Sequence, residues 1–349
     1  MKIVIIGPNV GMGGVERASS NIANGLKNAG HEVTYLALIP EPHFFELNTD
    51  YIEPLDFNET KMSFMKTIKY IRKNVKEIEP DYIIAFTKFY AALANVALLF
   101  SKFKIVVTER SSPLYQWPKP IERFCKTSFL LKKPAGVISQ TSIASEFHKK
   151  YYGKTKYSVI PNAVRNIKLY PQIKRENIIL AVGRFHDACK GFDLLIEAFN
   201  LLEDKSWRLV FAGGSKEEGQ YLLDLARPEI ISRIDFLGVV KDMDLIFAKA
   251  GIFVMPSRSE GFPNALAEAM AAGCACVSFD FIAGPRDIIR DNESGLIVES
   301  GNVEALAKTI DKLISNTERR NQFEQTAIAT RNQFREDIII KKYLDFLTK

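Results

Sequence analysis

The chain has 349 residues, of which 47% are hydrophobic and 25% are charged, a balance typical of a soluble globular protein with room for two domains. Its four cysteines are too few and too irregularly spaced for a disulfide framework, and its four histidines show no zinc-binding spacing. No apolar run reaches the length of a membrane span, and the first residues are typical of a buried strand rather than of a signal peptide. We therefore expect a cytoplasmic protein with free thiols.

The net charge of +6 is unevenly distributed along the chain. Residues 1–160 carry a net charge of +8, and residues 161–349 carry a net charge of −2. The basic half is expected to meet an anionic partner. Because the sequence shows no zinc-finger, RNP or helix-turn-helix signature, we expect no nucleic acid and favour an anionic membrane surface.

Short Val/Ile-rich runs alternate with helical stretches along the whole chain. In the first half, strands are predicted at 2–7, 31–38, 81–86, 104–109 and 135–140. The second half repeats the pattern, with strands predicted at 177–184, 207–214, 233–239, 251–257 and 274–279. Apolar strands separated by helices indicate parallel sheets that are covered on both faces. The sequence thus predicts an α/β protein with two doubly wound, Rossmann-like domains that face each other across a cleft.

The pattern is interrupted at VIPNAV, residues 159–164, where Pro161 and Asn162 indicate a break between domains. We predict an N-terminal domain at 1–160 and a C-terminal domain at 161–333. The last segment, 334–349, has apolar residues at helical spacing, and this final helix could cross back to the first domain.

The stretch PSRSEGFPNALAEAMAAG, residues 256–273, places Glu260 before a predicted helix and Glu268 inside it. Pro263 is predicted at the first helical position. The helix follows a strand directly, so its N–H groups and positive dipole end can hold phosphate at the carboxyl edge of the sheet. The two acids could contact two parts of one elongated ligand, such as a sugar and a ribose. The alternative is an acid that complements the helix dipole and an exposed helical glutamate.

Two further loops follow predicted strands. GRFHDACKG, residues 183–191, contains Arg184 and Lys190, which could form a diphosphate site without a metal or could be solvated surface cations. GPNVGMGGVER, residues 7–17, is glycine-rich but is neither a dinucleotide fingerprint nor a Walker A loop. It could approach an anion closely, or its glycines could serve tight packing. A fourth loop, AGPRDII at 283–289, is expected to line the same cleft.

KDMDLI, residues 241–246, contains an Asp-x-Asp pair, a spacing of acids that can bind a metal ion. It lies at the start of a predicted helix rather than at a strand end. We therefore interpret Asp242 and Asp244 as capping and solvated acids.

Together these segments resemble the family 4 glycosyltransferases, retaining enzymes with the two-domain GT-B fold. The resemblance covers nearly the whole chain and is most specific in the Glu-x7-Glu pair, with Arg184 and Lys190 upstream. The matching segments are GGVER (13–17), VIPNAV (159–164), VGRF (182–185), KGFDLLIEAF (190–199), LVFAGG (209–214), IDFLG (234–238), PSRSEGFPNALAEAMAAG (256–273) and SGLIV (294–298).

The resemblance implies a role for each matching residue. Arg184 and Lys190 would bind the donor diphosphate and stabilise the leaving group, Glu260 would contact the donor sugar, and Glu268 would bind the ribose hydroxyls. The implied catalytic residues are Arg184, Lys190 and Glu260. The implied donor-binding residues are Gly13, Gly14, Gly183, Gly261, Phe262, Pro263, Asn264, Ala265 and Glu268.

On the acceptor side, the resemblance points to Glu16, Arg17 and Arg110. Many relatives carry a histidine near the position of Arg110, in the stretch TERSS (108–112), so how the outer sugar hydroxyl is held stays open. Arg110 could instead meet an anionic acceptor.

The reaction implied is transfer of a hexose or N-acetylhexosamine from a nucleotide sugar to a growing, lipid-linked bacterial surface glycan. UDP is the expected nucleotide, with Gal, GalNAc or GlcNAc as the sugar, and no metal or other cofactor is expected. The alternatives are a sugar-nucleotide epimerase or hydrolase of the same fold, and a non-catalytic nucleotide-sugar-binding protein. A dehydrogenase is disfavoured because the first loop lacks the dinucleotide fingerprint. The sequence does not indicate an oligomeric state.

Two segments of the basic half combine apolar and basic residues at helical spacing: 63–78 and 117–134. Such helices could lie in a membrane interface, or they could be ordinary amphipathic helices packed on the sheet. Because a lipid-linked acceptor would require the first domain to lie at the bilayer, we predict peripheral binding to the inner face of the cell membrane.

Overall fold

The computed structural model describes residues 1–11, 13–55, 63–215 and 217–349. The chain divides into two compact units. Unit 1 comprises Met1–Ala163 and Glu336–Lys349, and unit 2 comprises Val164–Arg335. The boundaries expected from the sequence, at 160 and 333, fall close to these limits.

The described part of unit 1 contains a sheet of seven parallel strands. These are β1 (Lys2–Gly7), β2 (Glu32–Ala37), β3 (Asp50–Ile52), β4 (Tyr82–Phe86), β5 (Ile105–Thr108), β6 (Gly136–Ser139) and β7 (Tyr157–Val159). The helices between them are α1 (Gly14–Asn28), α2 (Phe64–Ile78), α3 (Lys88–Ala97), α4 (Lys119–Leu131) and α5 (Ser142–Tyr152). The spatial order of the strands is β3-β2-β1-β4-β5-β6-β7.

The described part of unit 2 contains a second parallel sheet, of six strands in the order β10-β9-β8-β11-β12-β13. The strands are β8 (Glu176–Val182), β9 (Arg208–Ala212), β10 (Ile234–Phe236), β11 (Ala250–Met255), β12 (Ala275–Phe279) and β13 (Leu296–Val298). The helices are α6 (Phe192–Asn200), α7 (Gln220–Leu223), α8 (Pro228–Ile231), α9 (Met243–Lys249), α10 (Asn264–Ala271), α11 (Pro285–Ile288), α12 (Val303–Ser315) and α13 (Thr317–Thr330). The final helix, α14 (Glu336–Thr348), belongs to unit 1.

The burial of the strands explains why their sequences are continuously apolar. Every residue of β11 and of β12 is buried, because helices cover both faces of the parallel sheet. In unit 1, separate hydrophobic clusters lie on the two faces of the sheet. The prediction of an α/β protein with two doubly wound parallel sheets is confirmed.

Helix α14 completes one of the two clusters of unit 1. Its buried residues Ile339, Ile340 and Tyr343 pack with residues of β1, β2 and α1. The contact with α1 is close at Gly25, where an added Cβ would come within 2.5 Å of Ile340. A side chain at Gly25 would therefore require the Ile340 side chain to shift.

The strand orders identify where a ligand could bind. In unit 2, β8 and β11 are neighbours, and the chain leaves them toward opposite edges of the sheet. Loops at the carboxyl ends of two such strands diverge and leave a crevice, the usual ligand position in doubly wound sheets. In unit 2 these loops are 183–191 and 256–263.

The two segments predicted as interfacial helices form α2 and α4, but parts of their apolar faces pack on the sheet. Ile71 and Val75 of α2, and Phe129 of α4, are buried in unit 1. These residues follow the alternative of amphipathic helices packed on the sheet, while Phe64 and Leu130 stay 45% and 84% exposed. None of the helices in the described ranges combines the length and the apolar character needed to cross a membrane.

Arg175 joins several backbone segments beneath the site of unit 2. Its Nη1 donates to the carbonyls of Phe247 and Ala250 at 3.0 and 2.8 Å, and its Nη2 donates to that of Gly273 at 2.6 Å. Its Nε lies 3.2 Å from Glu324. One side chain thus ties the end of α9 and the start of β11 to the residue that follows α10.

We expect Arg175→Met to lower the free energy of unfolding by about 2–4 kcal/mol, because partly buried carbonyls and a carboxylate lose their donor. Urea denaturation followed by circular dichroism measures the change. Arg208→Met is the matched control, since its pair with Asp235 is about half exposed and should be worth less than about 1 kcal/mol. Equal losses in the two variants would contradict this role.

Candidate active site

An ion pair joins the two loops at the switch point of unit 2. Lys190 Nζ lies 2.8 Å from Glu260 Oε1, and Ser257 Oγ donates to the same oxygen at 3.0 Å. The side chains of Lys190 and Glu260 are only 19% and 13% exposed, so solvent and salt screen the pair less than a surface ion pair. The structure therefore brings together two residues that come from separate sequence motifs.

The loop that carries Lys190 is fixed by its contact with the end of β11. The main-chain N–H of Arg258 donates to the Cys189 carbonyl at 2.7 Å. Gly191 adopts a positive φ of 65°, and an added Cβ there would overlap the carbonyl oxygen of Pro256. A glycine is needed here for both reasons, the backbone conformation and the close approach.

A second ion pair, which the sequence analysis did not identify, clamps the same two loops. Arg258 donates to both carboxylate oxygens of Asp193, at 2.8 and 2.6 Å, and to the Ala188 carbonyl at 3.0 Å. The guanidinium holds the pKa of Asp193 below its usual value through these hydrogen bonds. Both residues lie within matching segments, Asp193 in 190–199 and Arg258 in 256–273, but nothing in the sequence indicates that they pair.

Arg184 lies in a different environment from Lys190. Its side chain is 82% exposed, and its Nη2 lies 3.1 Å from Asp187 Oδ2. Lys190, in contrast, lies over Gly183, where an added Cβ would come within 3.1 Å of the lysine chain. Of the two cations expected to bind diphosphate, the structure places Lys190 beside Glu260 and leaves Arg184 at the surface.

The turn between Glu260 and α10 is partly buried. Phe262 is 4% exposed and packs on Phe334, with ring centroids 6.0 Å apart. Gly261, Asn264 and Ala265 have intermediate exposure.

The position of Pro263 differs from the prediction by one residue. Its ψ of 77° is not helical, so Pro263 caps α10, and the first helical residue is Asn264. Gly284, in the predicted 283–289 loop, lies against this proline, since an added Cβ would come within 2.6 Å of its ring.

Glu268 belongs to a partly buried charge network. Its side chain is 12% exposed, and its Oε2 lies 3.7 Å from Arg165 Nε. The same guanidinium lies 2.5 Å from Asp244 Oδ1. The alternative of an exposed helical glutamate is therefore disfavoured for Glu268.

The interpretation of the Asp-x-Asp pair is half right. Asp242 caps α9 as expected, accepting a hydrogen bond from the N–H of Leu245 at 3.1 Å. The expectation of a solvated acid is wrong for Asp244, which is 8% exposed because it faces Arg165. In the ranges that the structure describes, no group of three or more His, Cys, Asp or Glu side chains is arranged to hold a metal ion.

In unit 1, the described part of the glycine loop leads into α1. Gly13 caps the helix, its carbonyl accepting from the N–H of Arg17 at 3.0 Å, and the Glu16 side chain lies over Gly13. Gly14 is exposed, with open space where a side chain would be. Met12, also part of the predicted loop, lies outside the described residues.

Arg110 is turned into unit 1. It is 8% exposed, donates to Asn162 Oδ1 at 2.6 Å and to the Tyr343 hydroxyl, and lies over the Phe86 ring. This geometry argues against the expected contact with a sugar or an anionic acceptor. The arginine instead connects the end of β5 to Asn162 and to α14.

Two family models match adjacent parts of the chain. The model described as "Glycosyltransferase Family 4" matches residues 12–165, and the model described as "Glycosyl transferases group 1" matches residues 165–330. These ranges include every strand of the two sheets except β1. They also include every site residue described above except Phe334 and Tyr343.

The chain is also similar over nearly its full length to individual proteins. An uncharacterised glycosyltransferase of Haemophilus influenzae is 26% identical, with 89% of each chain covered. An α-1,4-N-acetyl-D-galactosaminyltransferase of Campylobacter jejuni, whose name specifies an undecaprenol-diphosphate-linked acceptor, is 23% identical, covering 100% of this chain and 99% of that one. Among solved structures, HepE of Anabaena in complex with UDP has a TM-score of 0.80 at 17% identity, with 100% of both chains covered.

We expect Gly191→Ala to destabilise the protein far more than Gly238→Ala. Both glycines have positive φ, 65° and 72°, so each substitution costs about 1 kcal/mol for the backbone. Gly238 faces open space, whereas a Cβ at Gly191 meets a backbone carbonyl that cannot move aside cheaply. Thermal unfolding of the two variants measures the difference, and similar melting temperatures would contradict the packing argument.

Proposed function

This chain belongs to the family 4 glycosyltransferases, and we propose that it transfers a hexose or N-acetylhexosamine, with retention, from a nucleotide sugar to a lipid-linked glycan. The observation that carries the proposal is the Lys190–Glu260 pair at the switch point between β8 and β11. There a cation and a carboxylate stand side by side where a doubly wound sheet binds its ligand.

We assign the donor diphosphate to Lys190 and Arg184, the transferred sugar to Glu260, and the ribose to Glu268. The diphosphate would draw Lys190 away from Glu260, which frees that carboxylate to accept hydrogen bonds from sugar hydroxyls. Arg184 is exposed enough to leave Asp187 and turn to the same phosphates. Planar guanidinium and compact ammonium groups are both well suited to phosphate oxygens.

In the proposed reaction, the bond between the anomeric carbon and the diphosphate oxygen breaks as the acceptor oxygen bonds to that carbon from the same face. The acceptor proton passes to the leaving phosphate. Negative charge develops on the leaving nucleoside diphosphate, so Lys190 and Arg184 would act by stabilising that charge. No side chain needs to act as a base.

UDP and an N-acetylhexosamine are the donor parts we favour. The UDP complex of HepE and the acceptor and sugar in the name of the Campylobacter relative support this choice. Those ligands and names describe the other two proteins. The direct test on this chain is a panel of UDP- and GDP-sugars, assayed for binding and for slow hydrolysis. Binding of none of them would refute the proposed donor site.

Peripheral membrane attachment is the second part of the proposal. In unit 1, the side chains of Phe64, Met65, Phe100, Leu130 and Leu131 are between 45% and 95% exposed. The basic residues of α2 are exposed as well: Lys66, Lys69, Arg72, Lys73 and Lys76. Exposed apolar side chains beside basic ones support binding to an anionic bilayer surface.

We expect Lys190→Ala and Arg184→Ala each to lower turnover by about 100-fold or more, because charge on the leaving group loses a partner. Turnover is measured with the nucleotide sugar that the panel identifies. Arg208→Ala, which removes a cation from an exposed pair at the sheet edge of unit 2, should leave turnover unchanged. Near-normal turnover in both Lys190→Ala and Arg184→Ala would exclude the assigned roles.

We expect activity to survive EDTA, since two cations at the diphosphate would replace a metal ion. Turnover is compared before and after exhaustive chelation, and again after addition of Mn²⁺. Complete loss on chelation with recovery in Mn²⁺ would show that the reaction uses a metal.

We expect the protein to float with anionic vesicles at low salt, but not at high salt and not with neutral vesicles. The reason is that each basic residue near an anionic bilayer contributes on the order of 1 kcal/mol to the free energy of binding. Lys69→Glu/Lys73→Glu in α2 should weaken flotation. Lys308→Glu/Lys312→Glu in α12 makes the same change of charge in unit 2 and should have little effect. No flotation with anionic vesicles at low salt would refute membrane attachment.

A further inference from the structure

Arg165, at the start of unit 2, lies between two carboxylates. Its Nη2 is 2.5 Å from Asp244 Oδ1, and its Nε is 3.7 Å from Glu268 Oε2. The two acids come from different helices, α9 and α10. No motif in the sequence analysis included Arg165, and only Glu268 was expected to meet a ligand.

Asp244 is held in place by more than the arginine. Its second oxygen accepts a hydrogen bond from the main-chain N–H of Lys168 at 2.8 Å, and the residue is 8% exposed. Burying a carboxylate to this depth is costly unless a cation and hydrogen-bond donors compensate for the lost water. Asp244 therefore anchors one side of the guanidinium to α9, while the rest of the guanidinium faces α10.

The arginine in turn restricts Glu268. A glutamate on a helix can adopt several rotamers, and its carboxylate can rotate about the last bond. A fixed cation at 3.7 Å favours the rotamers that keep Oε2 beside it. A planar guanidinium can serve two carboxylates at once because its donors point in fixed directions, which a lysine ammonium cannot reproduce.

We propose that Arg165 and Asp244 are positioning residues that fix the Glu268 carboxylate to accept the two ribose hydroxyls of the donor nucleotide. They thereby set the preference of the site for a ribonucleotide over a nucleotide that lacks those hydroxyls. This inference rests on the proposed function, in which Glu268 binds the ribose.

The test compares the binding of UDP and of dideoxy-UDP, which lacks both ribose hydroxyls, by isothermal titration calorimetry. The wild-type protein should prefer UDP by about tenfold or more, as expected for hydrogen bonds to a charged group. Arg165→Met should weaken UDP binding by about tenfold and change dideoxy-UDP binding by less than about twofold. A variant that merely loosens unit 2 would weaken both ligands equally.

Four further variants complete the experiment. Glu268→Gln should lose the same preference, and the double variant Arg165→Met/Glu268→Gln should lose no more than Glu268→Gln alone, because both act through one carboxylate. Asp244→Asn should lose part of the preference. Arg208→Met removes an arginine from a carboxylate pair elsewhere in unit 2, and this variant should keep the preference for UDP. Melting temperatures establish that each variant is folded.

The outcomes separate this inference from the proposed function. If Arg165→Met is folded and retains the wild-type preference, or loses affinity for both ligands equally, the positioning role is refuted and the donor site stands. If the wild-type protein binds UDP without any preference, the ribose contact is refuted as well. If it binds GDP instead, the same comparison is made with GDP and dideoxy-GDP. Failure to bind either nucleotide would refute both proposals.

Discussion

The site of unit 2 depends on the contact between two loops that leave neighbouring parallel strands. The loop after β8 touches the end of β11 through Gly191 and Pro256, and it is clamped there by the Arg258–Asp193 pair. That contact holds the loop of Lys190 against the loop of Glu260. The apolar strands, the crossover helices and the glycine at a positive φ all serve to bring these two loops within hydrogen-bonding distance.

Opposite charges compensate one another throughout the site. Lys190 faces Glu260, Arg184 faces Asp187, and Arg165 faces both Asp244 and Glu268. A bound anion would thus replace a carboxylate as the partner of each cation. Its binding free energy would be the difference between the interaction it makes and the one it breaks. Such a site gains selectivity, because only a ligand that satisfies the released carboxylates as well as the cations compensates for the pairs it breaks.

The sequence predicted the central strands well because burial on both faces leaves a local record, as in β11. It did not predict β3, β7 and β13, which are three-residue strands at the edges of the sheets and are only partly buried. It also placed Lys190 and Glu260 in loops that follow strands, and in the structure these two loops bring the two side chains into contact. It did not predict the burial of Asp244 or the Arg258–Asp193 pair, since these depend on which loops meet after the sheets form. The amphipathic α2 was open to two interpretations because a helix that packs on a sheet and a helix that lies on a bilayer share one periodicity.

The return of α14 to unit 1 has a consequence for how the chain acquires its structure. Unit 2 is one continuous segment, whereas unit 1 is assembled from both ends of the chain. One face of the unit 1 sheet needs Ile339, Ile340 and Tyr343, and Arg110 needs the hydroxyl of that tyrosine. During synthesis from the N-terminus, unit 2 therefore has all of its residues before unit 1 does. The strands within residues 1–163 must wait, with apolar surface uncovered, until residues 336–349 have been made.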